Sequence, residues 1–211
     1  MRALVTGGAG FIGSHLVERL IADGADAVLV VDDCSSGTRE NLSGAAGAIS
    51  LEVLDAGDPA LAALAASFRP EAVFHCAAQP SVVVSVRDPM LDARINVLAT
   101  LNVLEASAAA GARTVVFASS GGTVYGDPDP SALPVPETYS GTPSSPYGIT
   151  KKVTHDYLSF YNAVHGIDYT VLALSNVYGP RQDPHGEAGV VAIWSQRMIR
   201  GEQCVVFGDG E

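Results

Sequence analysis

Hydrophobic and polar residues follow two alternating patterns along the chain. Short apolar runs rich in β-branched residues, with no polar face, are typical of strands that a parallel sheet buries on both sides. Longer stretches with apolar residues at helical spacing separate these runs. The predicted strands are Ala3–Thr6, Ala27–Asp32, Ala72–His75, Thr114–Ser119 and Tyr169–Ser175. The predicted helices are Phe11–Asp23, Pro59–Phe68, Met90–Ala109, Tyr147–His165 and Glu187–Arg200.

The repeated strand–helix order predicts the fold class. Parallel strands joined by helices form right-handed crossovers, and the helices cover both faces of the sheet. We therefore expect an α/β fold, a doubly wound parallel sheet of the Rossmann type, over residues 1–175. The segment Gly126–Pro146 is rich in Pro, Ser, Gly and Asp. It is interpreted as a long loop within this domain.

Composition and charge narrow the range of partners. Hydrophobic residues make up 47% of the 211 residues, which is enough for a sizeable core. The formal net charge of −11 argues against nucleic acid or an anionic membrane, because phosphate contacts need a surplus of Lys and Arg. The cysteines and histidines are scattered, so neither a disulfide framework nor a metal site is expected. Without a signal peptide or a membrane-length apolar run, the chain is expected to be cytoplasmic.

A glycine-rich turn follows the first predicted strand and opens the first predicted helix. Its glycines are Gly7, Gly10 and Gly13. This spacing allows a tight turn, close approach of the backbone to a pyrophosphate, and close packing of helix on strand. The helix N-terminus then offers N–H groups and the positive end of its dipole to the phosphates. An ordinary turn could carry the same glycines, but the strand before and the helix after favour a dinucleotide site.

A carboxylate is expected about 20 residues after such a turn, where it binds the ribose hydroxyls of the dinucleotide. Asp32 stands at this position, at the end of the second predicted strand. A carboxylate there would repel a 2′-phosphate, so the sequence favours NAD over NADP. Asp33 could share the role, and Ser35 and Ser36 could add hydroxyl donors.

The motif Tyr-x-x-x-Lys occurs at Tyr147 and Lys151. If Tyr147 begins a helix, Lys151 lies one turn later on the same face. A free Tyr has a pKa of about 10, and a neighbouring ammonium together with a positively charged nicotinamide ring would lower it. Tyr147 could then take a hydroxyl proton while a hydride leaves carbon for the cofactor. This spacing alone occurs often by chance. Its presence in the same chain as the glycine turn makes a catalytic pair the better interpretation.

Together these motifs resemble the extended short-chain dehydrogenase/reductase family, of the NAD-dependent epimerase/dehydratase type, and within it the UDP-glucose 4-epimerases most closely. The resemblance implies NAD as cofactor, a UDP-sugar as substrate, and epimerisation at C4 of a UDP-hexose through a transient 4-keto intermediate. Further segments that carry it are Asp32–Gly37, His75–Gln79, Asn96–Val97, Val124–Gly126, Asn176–Arg181 and Gln182–Val191.

Members of this family continue beyond the point that Glu211 matches. Residues 176–211 are therefore interpreted as the start of a small C-terminal substrate-binding lobe in a truncated chain. Such relatives are commonly homodimers that pair two helices from each subunit. The segments Met90–Ala109 and Tyr147–His165 are the candidate helices for this contact.

The resemblance also implies roles for individual residues. Besides the motif residues above, the implied cofactor contacts are Phe11, Ile12, Gly37, Asp55, Ala56, Ala77, Ala78, Gln79, Asn96 and Ser175. The implied substrate contacts are Gly121, Thr123, Asn176, Gly189, Val190, Val205 and Phe207. For Val190, Val205 and Phe207, ordinary core packing explains the residue type nearly as well.

The chain departs from the family pattern at one catalytic position. The family usually places a Ser or Thr three residues before Val-Tyr-Gly, and this chain has Gly121 there. We expect Thr123 to supply the missing hydroxyl, with Ser120 or a water molecule as alternatives. The same segment lacks the Thr-Asp-Glu of sugar-nucleotide dehydratases, whose acid and base eliminate water, and the Glu that related decarboxylases usually keep.

Other functions stay open on the sequence alone. One is a net oxidoreductase, or an epimerase of another sugar nucleotide such as a UDP-glucuronate 4-epimerase. Another is an NAD-binding regulatory or scaffold protein without catalysis. The intact Tyr147–Lys151 pair disfavours this last function, whereas Gly121 slightly favours it.

Overall fold

The computed structural model describes residues 1–185, 189–206 and 208. The chain divides into two compact units, Met1–Ser175 and Asn176–Glu211, and each is described by itself. Within the described ranges, no helix combines the length and the apolar character needed to cross a membrane.

The first unit contains a six-stranded parallel sheet with the order β3-β2-β1-β4-β5-β6. The chain winds outward from β1 in one direction and from β4 in the other, so a crevice forms at the carboxyl ends of these two strands. The predicted Rossmann-type fold is confirmed. The strands are β1 Arg2–Thr6, β2 Ala27–Asp32, β3 Ile49–Val53, β4 Ala72–His75, β5 Thr114–Ser120 and β6 Asp168–Leu174.

Helices connect the strands and cover the sheet. They are α1 Phe11–Ala22, α2 Ala60–Phe68, α3 Val82–Arg87, α4 Pro89–Ala93, α5 Ala99–Ala110, α6 Gly121–Val124 and α7 Pro146–His165. A π-helical segment, Arg94–Leu98, joins α4 to α5, and short 3-10 helices span Arg39–Ala45 and Pro130–Ala132.

The central strands β1, β2 and β4 are buried on both faces of the sheet. Along β1, Leu4 belongs to one hydrophobic cluster, while Ala3 and Val5 belong to a second one on the opposite face. The first cluster includes side chains of α2, α5 and α7, such as Leu104 and Leu158, and the second packs against α1. Because successive strand residues alternate between faces, this division follows from the pleat. The strand ends that carry the site are thus held on a packed platform.

Several regions differ from the sequence prediction. Strand β3 and helices α3 and α6 were not predicted, and the helix predicted over Met90–Ala109 is interrupted by the π-helical segment. The interruption places Asn96 inside the protein, where its side chain bonds the backbone of Gln79. The predicted loop Gly126–Pro146 contains the short 3-10 helix Pro130–Ala132.

The second unit contains helix α8, Val190–Ile199, where the sequence predicted a helix over Glu187–Arg200. Glu187 lies outside the described residues. Gly189 is the residue that caps the start of α8. After the helix the chain turns back, and Arg197 donates a hydrogen bond to the backbone oxygen of Gln203 at 3.4 Å.

Candidate active site

The glycine turn is built as tightly as its spacing predicts. Gly7 has φ +70°, and its N–H donates to the oxygen of Val31 at 2.9 Å. A Cβ at Gly7 would lie 2.5 Å from the backbone nitrogen of Ala77, and a Cβ at Gly13 would lie 2.1 Å from the oxygen of Gly7. Side chains at these two positions would therefore collide with backbone, which leaves glycine as the residue that fits.

Helix α1 begins directly behind this turn. Its N-cap is Gly10, which has no side chain to bond the first N–H groups, and its first turn has no acidic residue. The first N–H groups of a helix have no intrahelical acceptor, so Phe11 and Ile12 present donors to an anion. This is the geometry that a pyrophosphate requires.

Asp32 connects the glycine turn to the loop after β2. Its Oδ2 accepts a hydrogen bond from the Ala9 N–H at 2.9 Å, and its Oδ1 accepts one from the Cys34 N–H at 2.8 Å. The residue is 8% exposed and lies on the wall of a cleft. Each carboxylate oxygen can accept a further hydrogen bond. Asp32 is thus oriented by the backbone and still able to bind ribose hydroxyls.

The loop after Asp32 folds back on the glycine turn. Asp33 is exposed, and its Oδ1 accepts hydrogen bonds from the N–H and the hydroxyl of Ser35. A Cβ at Gly37 would lie 2.5 Å from the carbonyl carbon of Ala9. Gly37 therefore supports the turn through close backbone packing.

A cleft of about 280 Å³ follows the carboxyl ends of the strands from the glycine turn. Leu54, Ile95 and Ala99 give this cleft an apolar wall, and Val31 and Cys76 also line it. Sequence reasoning did not identify any of these five residues as a cofactor contact. The predicted cofactor residues that line this cleft are Gly7, Gly10, Asp32, Asp33, Ser35, Ser36, Asp55, Ala56, Ala77, Ala78 and Gln79. The cleft thus offers anion donors, a ribose acceptor and an apolar wall for a base, which together fit a dinucleotide.

Tyr147 and Lys151 lie in the first turns of α7. Ser145 caps this helix by accepting a hydrogen bond from the Gly148 N–H at 3.1 Å, and Pro146 occupies the first helical position. Tyr147 is 9% exposed and Lys151 is 4% exposed. The Lys151 ammonium donates to the backbone oxygen of Ala118 at 2.9 Å.

Burial controls the ionisation of this pair. It lowers the pKa of Lys151 to about 8, although nearby Cys76 and Asp92 raise it. Burial also raises the pKa of Tyr147, a hydrogen bond from Ser120 lowers it, and the charge of Asp92 raises it. We expected the ammonium of Lys151 and a positively charged nicotinamide ring to lower the pKa of Tyr147. In the chain by itself the net direction is upward, because burial outweighs the effect of Ser120.

The structure distinguishes between the candidates for the missing family hydroxyl. The Ser120 side chain lies near enough to the Tyr147 phenol to lower its pKa. The Thr123 Oγ1 is buried and has no hydrogen-bond partner among the described residues. A Cβ at Gly121 would lie 2.8 Å from the oxygen of Ala173 in β6, which explains why a side chain is excluded here. This geometry favours Ser120 over Thr123, which reverses the order expected from the sequence.

The remaining predicted residues are placed as follows. Asn96 is 2% exposed and lies behind the cleft wall, whereas Ser175 is exposed. In the second unit, Asn176 is the first residue, Gly189 caps α8, Val190 begins it, and Val205 lies in the segment after it. Phe207 falls outside the described residues. Within the described part of the chain, no group of three or more His, Cys, Asp or Glu side chains is arranged to hold a metal ion.

The family model of NAD dependent epimerases and dehydratases matches residues 3–211 of this chain. The chain belongs to this family. NAD is therefore its cofactor, and the cleft built by the glycine turn and Asp32 is where it fits.

Relatives in the family are similar over nearly the whole chain. The UDP-glucose 4-epimerase of Mycolicibacterium smegmatis is 50% identical over 212 residues, which cover 100% of this chain and 67% of that protein. The crystal structure of UDP-glucose 4-epimerase from Thermotoga maritima with UDP-glucose is 49% identical with a TM-score of 0.94, covering 100% of this chain and 67% of that one. The Thermus thermophilus UDP-glucose 4-epimerase complex with NAD is 47% identical with a TM-score of 0.89, covering 97% and 64%. This chain thus spans about two thirds of the length of these relatives.

Proposed function

We propose that this chain carries the cofactor-binding and catalytic part of a UDP-hexose 4-epimerase that interconverts UDP-glucose and UDP-galactose. The observation that carries the proposal is that the buried Tyr147 and Lys151 lie together with the half-buried Ser120 beside the dinucleotide cleft. The names of relatives at 47% to 50% identity support the same reaction.

In the proposed mechanism, the Tyr147 phenolate takes the proton of the sugar C4 hydroxyl and later returns it. Ser120 lies beside the Tyr147 phenol, so its hydroxyl is placed to hold the reacting oxygen. Lys151, with its pKa near 8, is charged at neutral pH and supplies positive charge beside the phenolate. When bound, NAD supplies the acceptor and donor of the C4 hydride and a positive charge that favours ionisation of Tyr147.

The segment before Val124 supports inversion rather than elimination. Dehydration needs an acid and a base placed to remove water, and Gly122 and Thr123 stand where the dehydratases resembled by this chain carry Asp and Glu. A 4-keto sugar that meets no such pair is not dehydrated by these residues. It is reduced again at C4, and the epimer forms when the sugar presents its other face to the returning hydride.

The proposal is tested by incubating the protein with UDP-glucose, UDP-glucuronate or UDP-N-acetylglucosamine, without an added hydride donor. Chromatography should show the C4 epimer of UDP-glucose, with no net change in NADH absorbance. The matched control is Tyr147→Phe, which keeps the ring and removes the proton acceptor. Epimerisation of UDP-glucuronate alone would instead identify a UDP-glucuronate 4-epimerase. If NAD binds without any product, the same assay on a longer chain decides: product there would mean that the C-terminal part is essential, and no product would indicate a non-catalytic role.

We further propose a homodimer formed through helices of the first unit. Large apolar side chains are exposed on these helices, and they include Met90 at 79%, Leu98 at 61%, Phe160 at 54% and Val164 at 59%. Such side chains at helical spacing are suited to a helix-to-helix contact. Light scattering after size exclusion should give twice the chain mass, and Phe160→Asp should lower it to the mass of one chain. A wild-type monomer would contradict the proposal.

We also propose a cytoplasmic location. Cys34, Cys76 and Cys204 are all unpaired, as expected in a reducing compartment. Fractionation of the source cells with an antibody to the chain would test this, and recovery outside the cytoplasmic fraction would contradict it.

A further inference from the structure

Asp92 is a fully buried carboxyl group in α4, with 0% exposure. Its Oδ1 accepts hydrogen bonds from Gln79 Nε2 and Asn96 Nδ2, both at 2.9 Å. Its Oδ2 accepts one from the Thr150 hydroxyl at 2.9 Å. The three donors come from the loop after β4, from the π-helical segment and from α7. A single side chain therefore connects three elements that border the site.

One side of this network faces the cofactor cleft. Asn96 accepts from the Gln79 N–H and donates to the Gln79 oxygen, both at 2.9 Å. Gln79 Nε2 also donates to the Ser81 oxygen at 2.9 Å. Gln79 lines the cleft, so its backbone and side chain are held in place from behind.

The other side of the network reaches the catalytic turn. Thr150 precedes Lys151 in α7, and its hydroxyl lies 3.0 Å from the backbone oxygen of Tyr147. The bond from Thr150 to Asp92 therefore anchors the turn that carries both members of the pair.

Stability alone does not account for a carboxyl group at this position. Burying a carboxylate costs free energy that its hydrogen bonds only offset, and apolar residues of similar volume often stabilise a protein as well or better. A buried polar group with all its bonds made does, however, restrict its neighbours to one arrangement.

We propose that Asp92 is a positioning residue that fixes the catalytic turn of α7 relative to the Gln79 wall of the NAD cleft. It is fully buried and is not among the residues that line the cleft. The inference concerns NAD binding and the catalytic pair, and it rests on the proposed function only where turnover is measured.

Two substitutions separate the bonds of Asp92 from its charge. In Asp92→Asn, the amide oxygen can accept from Gln79 and Asn96, and the amide NH2 can donate to Thr150. The hydroxyl hydrogen of Thr150 then remains available to the backbone oxygen of Tyr147, so the contacts with Gln79, Asn96 and Thr150 each keep a donor and an acceptor. Asp92→Ala instead leaves the donors of Gln79, Asn96 and Thr150 without their acceptor.

We expect Asp92→Asn to bind NAD within about threefold of wild type, whereas Asp92→Ala should raise the NAD dissociation constant at least tenfold, measured by calorimetry on the whole chain. The control is Ser107→Ala in α5, which also removes a fully buried polar group. The Ser107 hydroxyl donates to the backbone oxygen of Val103 at 2.6 Å. This variant should lower thermal stability without changing NAD affinity. If folded Asp92→Ala also loses stability but keeps wild-type affinity, Asp92 is merely structural and the proposal is overturned.

A pH readout distinguishes positioning beside the catalytic pair from a role in folding. Among the described residues, the titratable groups whose charge interacts with Asp92 are Tyr147 and Lys151 on α7, and its hydrogen-bond partners Gln79, Asn96 and Thr150 are neutral. Removing the negative charge should lower the pKa of Tyr147. The ultraviolet tyrosinate titration of Asp92→Asn, with that of its Tyr147→Phe derivative subtracted, should therefore shift to lower pH. An unshifted titration would contradict the placement.

A second variant keeps the test decisive if Asp92→Ala does not fold. Thr150→Val breaks the connection to α7 and leaves the bonds to Gln79 and Asn96. It should weaken NAD binding at least threefold, and Thr150→Ser should restore it. Wild-type affinity in folded Thr150→Val would overturn the proposal. Because these readouts need no sugar substrate, failure of epimerisation is distinguishable from failure of this inference.

Discussion

Replacing Gly13 by Ala is a direct test of the glycine turn. The added Cβ would lie 2.1 Å from the Gly7 oxygen and 2.8 Å from the carbonyl carbon of Gly7 and the Cα of Gly8. All three are backbone atoms that cannot rotate away. The shortest contact must therefore open to about 3.4 Å, the lower edge of ordinary van der Waals contact, by moving the helix away from the turn.

The expected cost follows from this displacement. Overpacking of this kind typically costs about 1–3 kcal/mol of unfolding free energy. For a chain of this size each kcal/mol lowers the melting temperature by about 2–4 °C. If the shift also breaks one hydrogen bond to a charged phosphate, about 1.5–3 kcal/mol of binding free energy is lost. That corresponds to an NAD dissociation constant about 10- to 100-fold higher.

Thermal unfolding and calorimetric titration with NAD measure the two effects separately. Gly47→Ala is the matched control, since a Cβ there meets nothing within 4 Å. It should leave NAD affinity unchanged and stability within about 1 kcal/mol of wild type. Wild-type NAD affinity in folded Gly13→Ala would refute the assignment of this turn to the pyrophosphate.

Three further predictions follow from the buried groups. Ser120→Ala should lower turnover at least tenfold, which is the effect of losing one positioned donor. Thr123→Val should keep turnover and stability, because it removes a hydroxyl that bonds nothing among the described residues. The reverse result would restore Thr123 as the donor. Lys151→Met should abolish turnover yet keep or raise the free energy of unfolding at pH 7. It removes a buried ammonium whose pKa burial has lowered to about 8. A large loss of stability would contradict this. His75 is buried between the hydroxyls of Thr6 and Thr100, and burial lowers its pKa to about 3. Below about pH 6.5 this imidazole is protonated in the unfolded chain but stays neutral in the folded one. The free energy of unfolding should therefore fall as the pH drops below about 6.5. His75→Gln should be less stable at pH 7.5 but show a shallower decline, and an unchanged slope would contradict this reasoning.

Most of the first unit could be predicted from the sequence because most of its strands are continuous apolar runs and helices α1, α5 and α7 are long. Strand β3 was missed because Ser50 and Glu52 interrupt the apolar pattern of Ile49–Val53. Helix α3 was missed because it begins with three valines, which favour strands, and its start depends on Ser81 bonding the Val84 N–H. Such local bonds are not visible in hydrophobic spacing.

The site shows the same division between what sequence reveals and what it does not. The glycines, Asp32 and the Tyr147–Lys151 pair have fixed spacings that reflect backbone geometry. The network of Asp92 was missed, although a signal was present. Asp92, Asn96 and Thr100 recur every four residues and form a polar stripe within an otherwise apolar helical pattern. The order of Ser120 and Thr123 could not be predicted, because it depends on how α6 packs against β6 rather than on distance along the chain.

The most direct test of the proposed reaction uses UDP-glucose that carries deuterium at C4. The account predicts UDP-galactose in which the deuterium remains at C4 after reaction in ordinary water, because the hydride leaves and returns within one closed site. Product that has exchanged its C4 hydrogen with solvent, or no C4 epimer from protein with NAD bound, would contradict the account.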